Sequence, residues 1–184
     1  WQLPNVSVSA AGHILAGNLQ VSLFPFVVRG TIESSKDTAH ELAALCSTTL
    51  NKLHCKAAFD ANDLNQKMDL TVAIQDLNYS AMSCKAANLA ISSTGFFSSP
   101  TITTTFTASE IENQSLSIDR VQFNSQVNPA DTQTGHPYAL HISGESTYGP
   151  CKLDCAGTFS EHFFGIDTFE AKSAGHTIKN STPL

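Results

Sequence analysis

The sequence predicts a mostly β chain of repeated strand pairs, elongated rather than compact, with one short α-helix near residues 38–51. Three observations carry this. Apolar and polar residues alternate with period two through most of the chain, the spacing of strands that have one apolar face. Ser and Thr supply 39 of the 184 residues while 14% are charged, so the polar surface is largely uncharged and β-favouring. The segment from Leu70 to Ser93 can also be laid over the segment from Thr104 to Val127 at an offset of 34 residues, a period found in stacked repeats.

Residues 1–35 read as two or three strands: Val6 and Val8 alternate, Gly12 and Gly17 punctuate, and Leu19, Val21 and Leu23 alternate again. Pro25 cannot donate a ladder hydrogen bond, so Phe24, Pro25 and Phe26 fit a bend or an edge strand. Residues 36–52 hold the predicted helix. Thr38 and Glu41 have capping-box spacing, and Leu42, Leu45, Cys46 and Leu50 fall on one stripe. From residue 53 onward the chain reads as repeated strand pairs. Leu53, Cys55, Ala57 and Phe59 alternate with polar residues, and a loop at 60–65 separates them from Leu70, Val72 and Ile74. In the repeat, Leu77 aligns with Ile111, Met82 with Leu116, Cys84 with Ile118, Ala87 with Val121 and Leu89 with Phe123. The shared pattern, apolar-x-apolar-x-x-apolar-x-apolar, holds one residue too many for strict alternation. Such a residue flips the facing of everything beyond it unless a bulge or bend absorbs it. A kink at a fixed place in each strand pair is therefore expected, and the pattern recurs at Phe164, Ile166, Phe169 and Ala171. Residues 1–184 thus form a single β-rich segment.

Composition excludes several function classes. A net charge of -6 with 10 Lys and Arg argues against nucleic acid and against a polybasic membrane anchor. The five cysteines are odd in number and irregularly spaced, a poor disulfide framework, so most are expected as packed thiols. Cys151, Leu153 and Cys155 alternate onto one strand face. No phosphate-binding loop, nucleophile elbow or zinc motif occurs, and the seven histidines are dispersed. His54 and Cys55 are neighbours that a strand sends to opposite faces, which disfavours a metal there. Ser146 reads as a β-turn serine, and Asp167 with Glu170 is the kind of acidic pair any carboxylate-rich chain supplies. No enzyme, no cofactor and no metal site is expected.

Residues 68–97 (MDLTVAIQDLNYSAMSCKAANLAISSTGFF) and 101–127 (TITTTFTASEIENQSLSIDRVQFNSQV) resemble the TamB family, periplasmic proteins of the translocation and assembly module related to AsmA. The family repeats a strand, then Asp-Leu-x-Tyr or Gly, then the kinked apolar pattern; Asp76, Leu77, Asn78 and Tyr79 stand in that place. Residues 18–26, 29–32, 138–146, 153–159 and 175–184 are also similar. Five Cys and 11 Phe depart from the usual pattern, and the family's N-terminal membrane helix and C-terminal module are not evident.

The resemblance implies a taco-like trough of β-strands with an apolar interior. Such a groove carries phospholipid acyl chains across the periplasm and supports outer-membrane protein assembly with an outer-membrane barrel partner. It further implies that this chain is an interior fragment of a longer protein, anchored to the inner membrane through a segment not present here. The candidate groove lining is Leu70, Val72, Ile74, Leu89, Ile91, Ile102, Phe106, Leu116, Ile118, Val121 and Phe123. Periodicity alone fits equally the core of a closed sandwich or barrel. The competing function is an adhesin-like or carbohydrate-binding closed β-sandwich without a transport role, using Tyr79, Tyr138 and Tyr148. Blocking or gating of the trough by the 38–51 helix is a further expectation, motivated by its Leu stripe.

Overall fold

The computed structural model describes residues 2–10, 13–34, 48–95, 99–130 and 135–183. They form one 13-stranded antiparallel sheet. The strands are β1 (Gln2–Ala10), β2 (His13–Leu23), β3 (Phe26–Ser34), β4 (Thr48–Thr49), β5 (Lys52–Asn62), β6 (Gln66–Tyr79) and β7 (Met82–Thr94). There follow β8 (Thr101–Asn113), β9 (Leu116–Val127), β10 (His136–Ser146), β11 (Gly149–Phe159), β12 (Phe164–Ser173) and β13 (His176–Lys179). Spatial order follows chain order from β1 to β13, save that the two-residue β4 pairs with β6 beyond the end of β5.

The reading of residues 1–35 resolves into three strands, with Phe24 and Pro25 forming the β2–β3 turn. The loop expected at 60–65 is shorter: β5 runs through Asn62 before turning. Of the helix expected over 38–51, residues 38–47 lie outside the described residues. Its last four are not helical. Thr48 and Thr49 pair with Tyr79 and Asn78, and the Asn51 amide donates to the Gln75 carbonyl at 3.1 Å. A leucine stripe at helical spacing cannot foresee that a neighbouring strand offers its last residues a ladder.

The sheet is a single open layer. Substantial packing among the described residues runs only between neighbours in the sheet order, and the accessible surface is 11821 Å². A compact monomer of this mass would expose about 8,600 Å². Among the described residues the buried apolar ones are correspondingly few: Leu50, Leu53, Ala61, Cys84, Ala87 and Ala108.

The 34-residue offset superposes the β6–β7 hairpin on the β8–β9 hairpin. The expected kink is present. Pairing is regular at Gln75 with Ala86 and again at Leu77 with Cys84, and lapses between them at Asp76 and Lys85. The same lapse falls at Lys85 and Glu110, then at Glu110 and Asp119, so the four residues lie in one transverse row. Asp76 (φ 52°) and Glu110 (φ 49°) adopt left-handed backbone, which absorbs the extra residue. Leu77 and Ile111 therefore pack with Ile74, Cys84, Ala87 and Ala108 on the same face. The third occurrence of the pattern is of another kind. It lies in β12, antiparallel to β7 and β9, and its extra residue, Asp167, sits at a register shift near the opposite edge of the sheet.

Candidate functional site

Residues directly opposite one another on paired strands present their side chains to the same face. The register therefore assembles a transverse row from nine strands: Cys55, Val72, Leu89, Phe106, Phe123, Ile142, Leu153, Ala171 and Ile178. Every position is apolar. At a strand spacing near 4.8 Å the row is about 38 Å long.

All eleven residues expected to line a groove fall on this face. Leu70 lies opposite Ile91, Val72 opposite Leu89, Ile74 opposite Ala87, and Phe106 opposite Phe123. Ile102 faces Ser93 and Val127, Val121 faces Ala108, Ile118 faces Ile111, and Leu116 faces Asn113 beside the β8–β9 turn. None of the eleven is buried, and Leu116 is among the exposed large hydrophobics. The face continues well past them on both sides. Cys55 extends it on one flank; Leu140, Ile142, Leu153, Cys155, Ala171 and Ile178 extend it on the other. The alternation in residues 138–142 and 151–155 carries that signal in the sequence, outside the 34-residue repeat.

Within the β10–β13 portion the face deepens into a cleft of about 350 Å³, floored by Ile142, Leu153, Ala171 and Ile178. Cys151, Ser173 and His176 border it. Cys151 and Cys155 share this face with Leu153, as the alternation requires, and both are free thiols. Cys84 is a free, buried thiol, while burial pushes the half-buried Cys55 thiol above its ordinary pKa. Cys46 lies outside the described residues.

At the far end of β10 the face becomes aromatic. Tyr138 stacks on Phe164 with ring centres 5.1 Å apart, and its hydroxyl donates to the Gly165 carbonyl at 3.2 Å. Burial, aided by the Cys155 sulfur, pushes the phenol up to about 12. Gly157 is required beneath it: a Cβ there would stand 2.0 Å from the Gly165 oxygen. Tyr148 sits in the turn at the other end of β10, and Tyr79 ends β6. The three tyrosines do not converge.

The opposite face carries uncharged polar residues and paired charges. Arg29 meets Asp60 at 2.8 Å, and Lys85 meets Glu110 at 2.6 Å beside the kink, which raises the lysine pKa. His141 and Lys152 both hydrogen-bond Asp154 and hold its carboxyl below the usual carboxylate range. Ser92 and Lys67 do the same for Asp69. His54 lies on this face, opposite Ala73, and Cys55 on the other. Ser146 is a turn serine: its hydroxyl donates to the Gly149 carbonyl and accepts the Tyr148 amide. Asp167 is the bulge residue of β12, while Glu170 pairs with Lys172. Among the described residues no three His, Cys, Asp or Glu side chains converge as metal ligands, and no helix is long and apolar enough to cross a membrane.

The arrangement offers an extended apolar strip backed by a polar face on which six carboxylates, Glu33, Asp60, Asp69, Glu110, Asp154 and Glu170, form ion pairs. Comparison with protein-family models, curated proteins and solved structures gives no significant match.

Proposed function

We propose that the chain is a segment of a TamB-like periplasmic protein whose apolar β-face carries phospholipid between inner and outer membranes. Its anchor to the inner membrane and its contact with an outer-membrane assembly partner would lie in other parts of a longer chain. No catalytic residue or cofactor is needed for this work. The observation that supports the reading is the unbroken apolar row from Cys55 to Ile178.

Each acyl methylene withdrawn from water contributes about 0.8 kcal/mol. A tail lying along the row is held by many small, non-directional increments rather than by one strong site. Because neighbouring positions are similar in polarity, moving the tail by one strand costs little. That is the property a carrier surface needs, while the headgroup stays in water.

The test is photocrosslinking in cells with a photoreactive residue placed singly at Phe106, Phe123, Ile142 and, on the polar face opposite Thr107, at Gln122. Phospholipid adducts are expected at the first three and not at Gln122. A folded protein that gives no adduct at any apolar position would sink the reading.

A further inference from the structure

The apolar row through Phe106 and Phe123 has parallel neighbours on the same face. One runs through Ile74 and Val121 on one side; two run through Leu70 and Leu140 and through Ile102 and Tyr138 on the other. From β5 to β12 these four rows contain no Asp, Glu, Lys or Arg. With strands about 4.8 Å apart and rows about 6.8 Å apart, the patch measures about 1,000 Å² in plan. The largest apolar patch on an ordinary monomer is about 300–600 Å². The face is thus one continuous surface, not a scatter of exposed side chains.

Three properties bear on what covers it. The first is area: two such faces pressed together would withdraw about 2,000 Å² from water, which reaches the range of obligate homodimers. The second is charge. A charge near the two-fold axis of a self-pairing face meets its own copy at a cost, and these rows have none to meet. The third is twist. A sheet packs flush, about 10 Å from its neighbour, only on a sheet whose twist matches its own, and a second copy meets that condition by identity. The reverse face carries Lys67, Asp69, Lys152 and Asp154 in ion pairs. A third sheet therefore finds no apolar surface to join, and association stops at two.

We propose that the apolar face is the interface of a closed two-fold homodimer, in which two copies pack sheet on sheet. With the axis between β8 and β9, the Phe106 and Phe123 rings of both copies meet near the centre, where aromatic side chains contribute most to an interface. Pairing of copies needs nothing of the carrier role but competes with it. One face cannot hold acyl chains and a second copy at once, so lipid and partner exclude each other.

The test is sedimentation velocity of the purified, lipid-free chain over about 1–100 μM, the range in which micromolar pairing shows. The unmodified chain is expected to sediment as a dimer at twice its 19.7 kDa mass. Phe106→Asp and Phe123→Asp together should weaken pairing at least about a hundredfold, since each copy would bury two unpaired carboxylates. Gln122→Asp, on the polar face opposite Thr107, should leave it unchanged. Circular dichroism shows whether each variant keeps its sheet. A second measurement serves if the double variant does not: a photoreactive residue at Phe106 should give a covalent dimer in the purified protein, and one at Gln122 should not. A concentration-independent monomer, assemblies larger than two, a dimer indifferent to the double substitution in a folded variant, or equal crosslinking from Gln122 overturns the proposal. Dimers without phospholipid adducts in cells would remove the carrier reading and leave the interface standing; adducts from a chain that stays monomeric would do the reverse.

Discussion

The two halves of the apolar face share one pattern and differ in cover. Every buried apolar residue among those described belongs to the span from Leu50 through β8; the β9–β13 half contributes none. In the first half Leu50, which is not itself in a strand, is buried against Leu53 and packs with Cys55, Val72, Ile74 and Leu77. Small Ala87 and Ala108 close up beside Cys84 under the kink. In the second half the strands shorten from 12 residues in β9 to 4 in β13, and the floor of the cleft lies open beside an exposed Ile178. The first half is where the sheet holds its buried apolar residues. The second leaves its share of the apolar face without buried side chains.

The sharpest way to break that contrast is a matched pair of truncations. Leu53→Ala should cost about 2–3 kcal/mol of unfolding free energy in urea, because it opens a cavity against Leu50 and Ile74. Leu153→Ala, on the same face of the open half, should cost about 1 kcal/mol or less. Equal losses would mean the halves are equally packed.

Thiol chemistry sharpens the comparison without mutation. Cys151 should be alkylated at least about tenfold faster than Cys84 in the native protein, since the buried thiol reacts only through opening. Peptide mapping after brief iodoacetamide treatment reads this, and comparable labelling of both would place Cys84 in an equally open region.

The smallest expected effect lies on the polar face. Asp69 and Asp154 have carboxyls held below their ordinary value of 3.8 by hydrogen bonds and nearby lysines. A depressed carboxylate contributes stability that is present above its unfolded pKa and is lost as pH falls through the folded value. The urea midpoint should therefore be flat from pH 7 to about 5 and fall below about pH 4, less steeply in Asp154→Asn. Because both groups are largely exposed, salt should flatten the fall further. A midpoint unchanged by Asp154→Asn at every pH would remove that pair from the account.

Much of this fold was legible because strand alternation is a local property. Leu70, Val72 and Ile74 declare their facing within five residues, and the 34-residue offset located both hairpins and the kink row. Cover is a long-range property and was not legible. Leu50 read as the end of a helical stripe, and only the fold shows it set against Leu53. The pattern around Phe164 matched the repeat in letters while running the other way along its strand, since an apolar spacing has no direction.

The kink row has a consequence for how this chain can change length. Asp76, Lys85, Glu110 and Asp119 are one surplus residue in each of four adjacent strands, and β10 lacks its own: the ladder slips by one between Glu145 and Ser146. Removing Asp76 alone would restore strict alternation in β6 while β7 kept its surplus, leaving Leu77 out of step with Cys84. Removing the four together would leave the rim in step with itself. Single-residue insertions and deletions here are thus costly one at a time and tolerable as a set, so the four strands are bound to lengthen or shorten in concert.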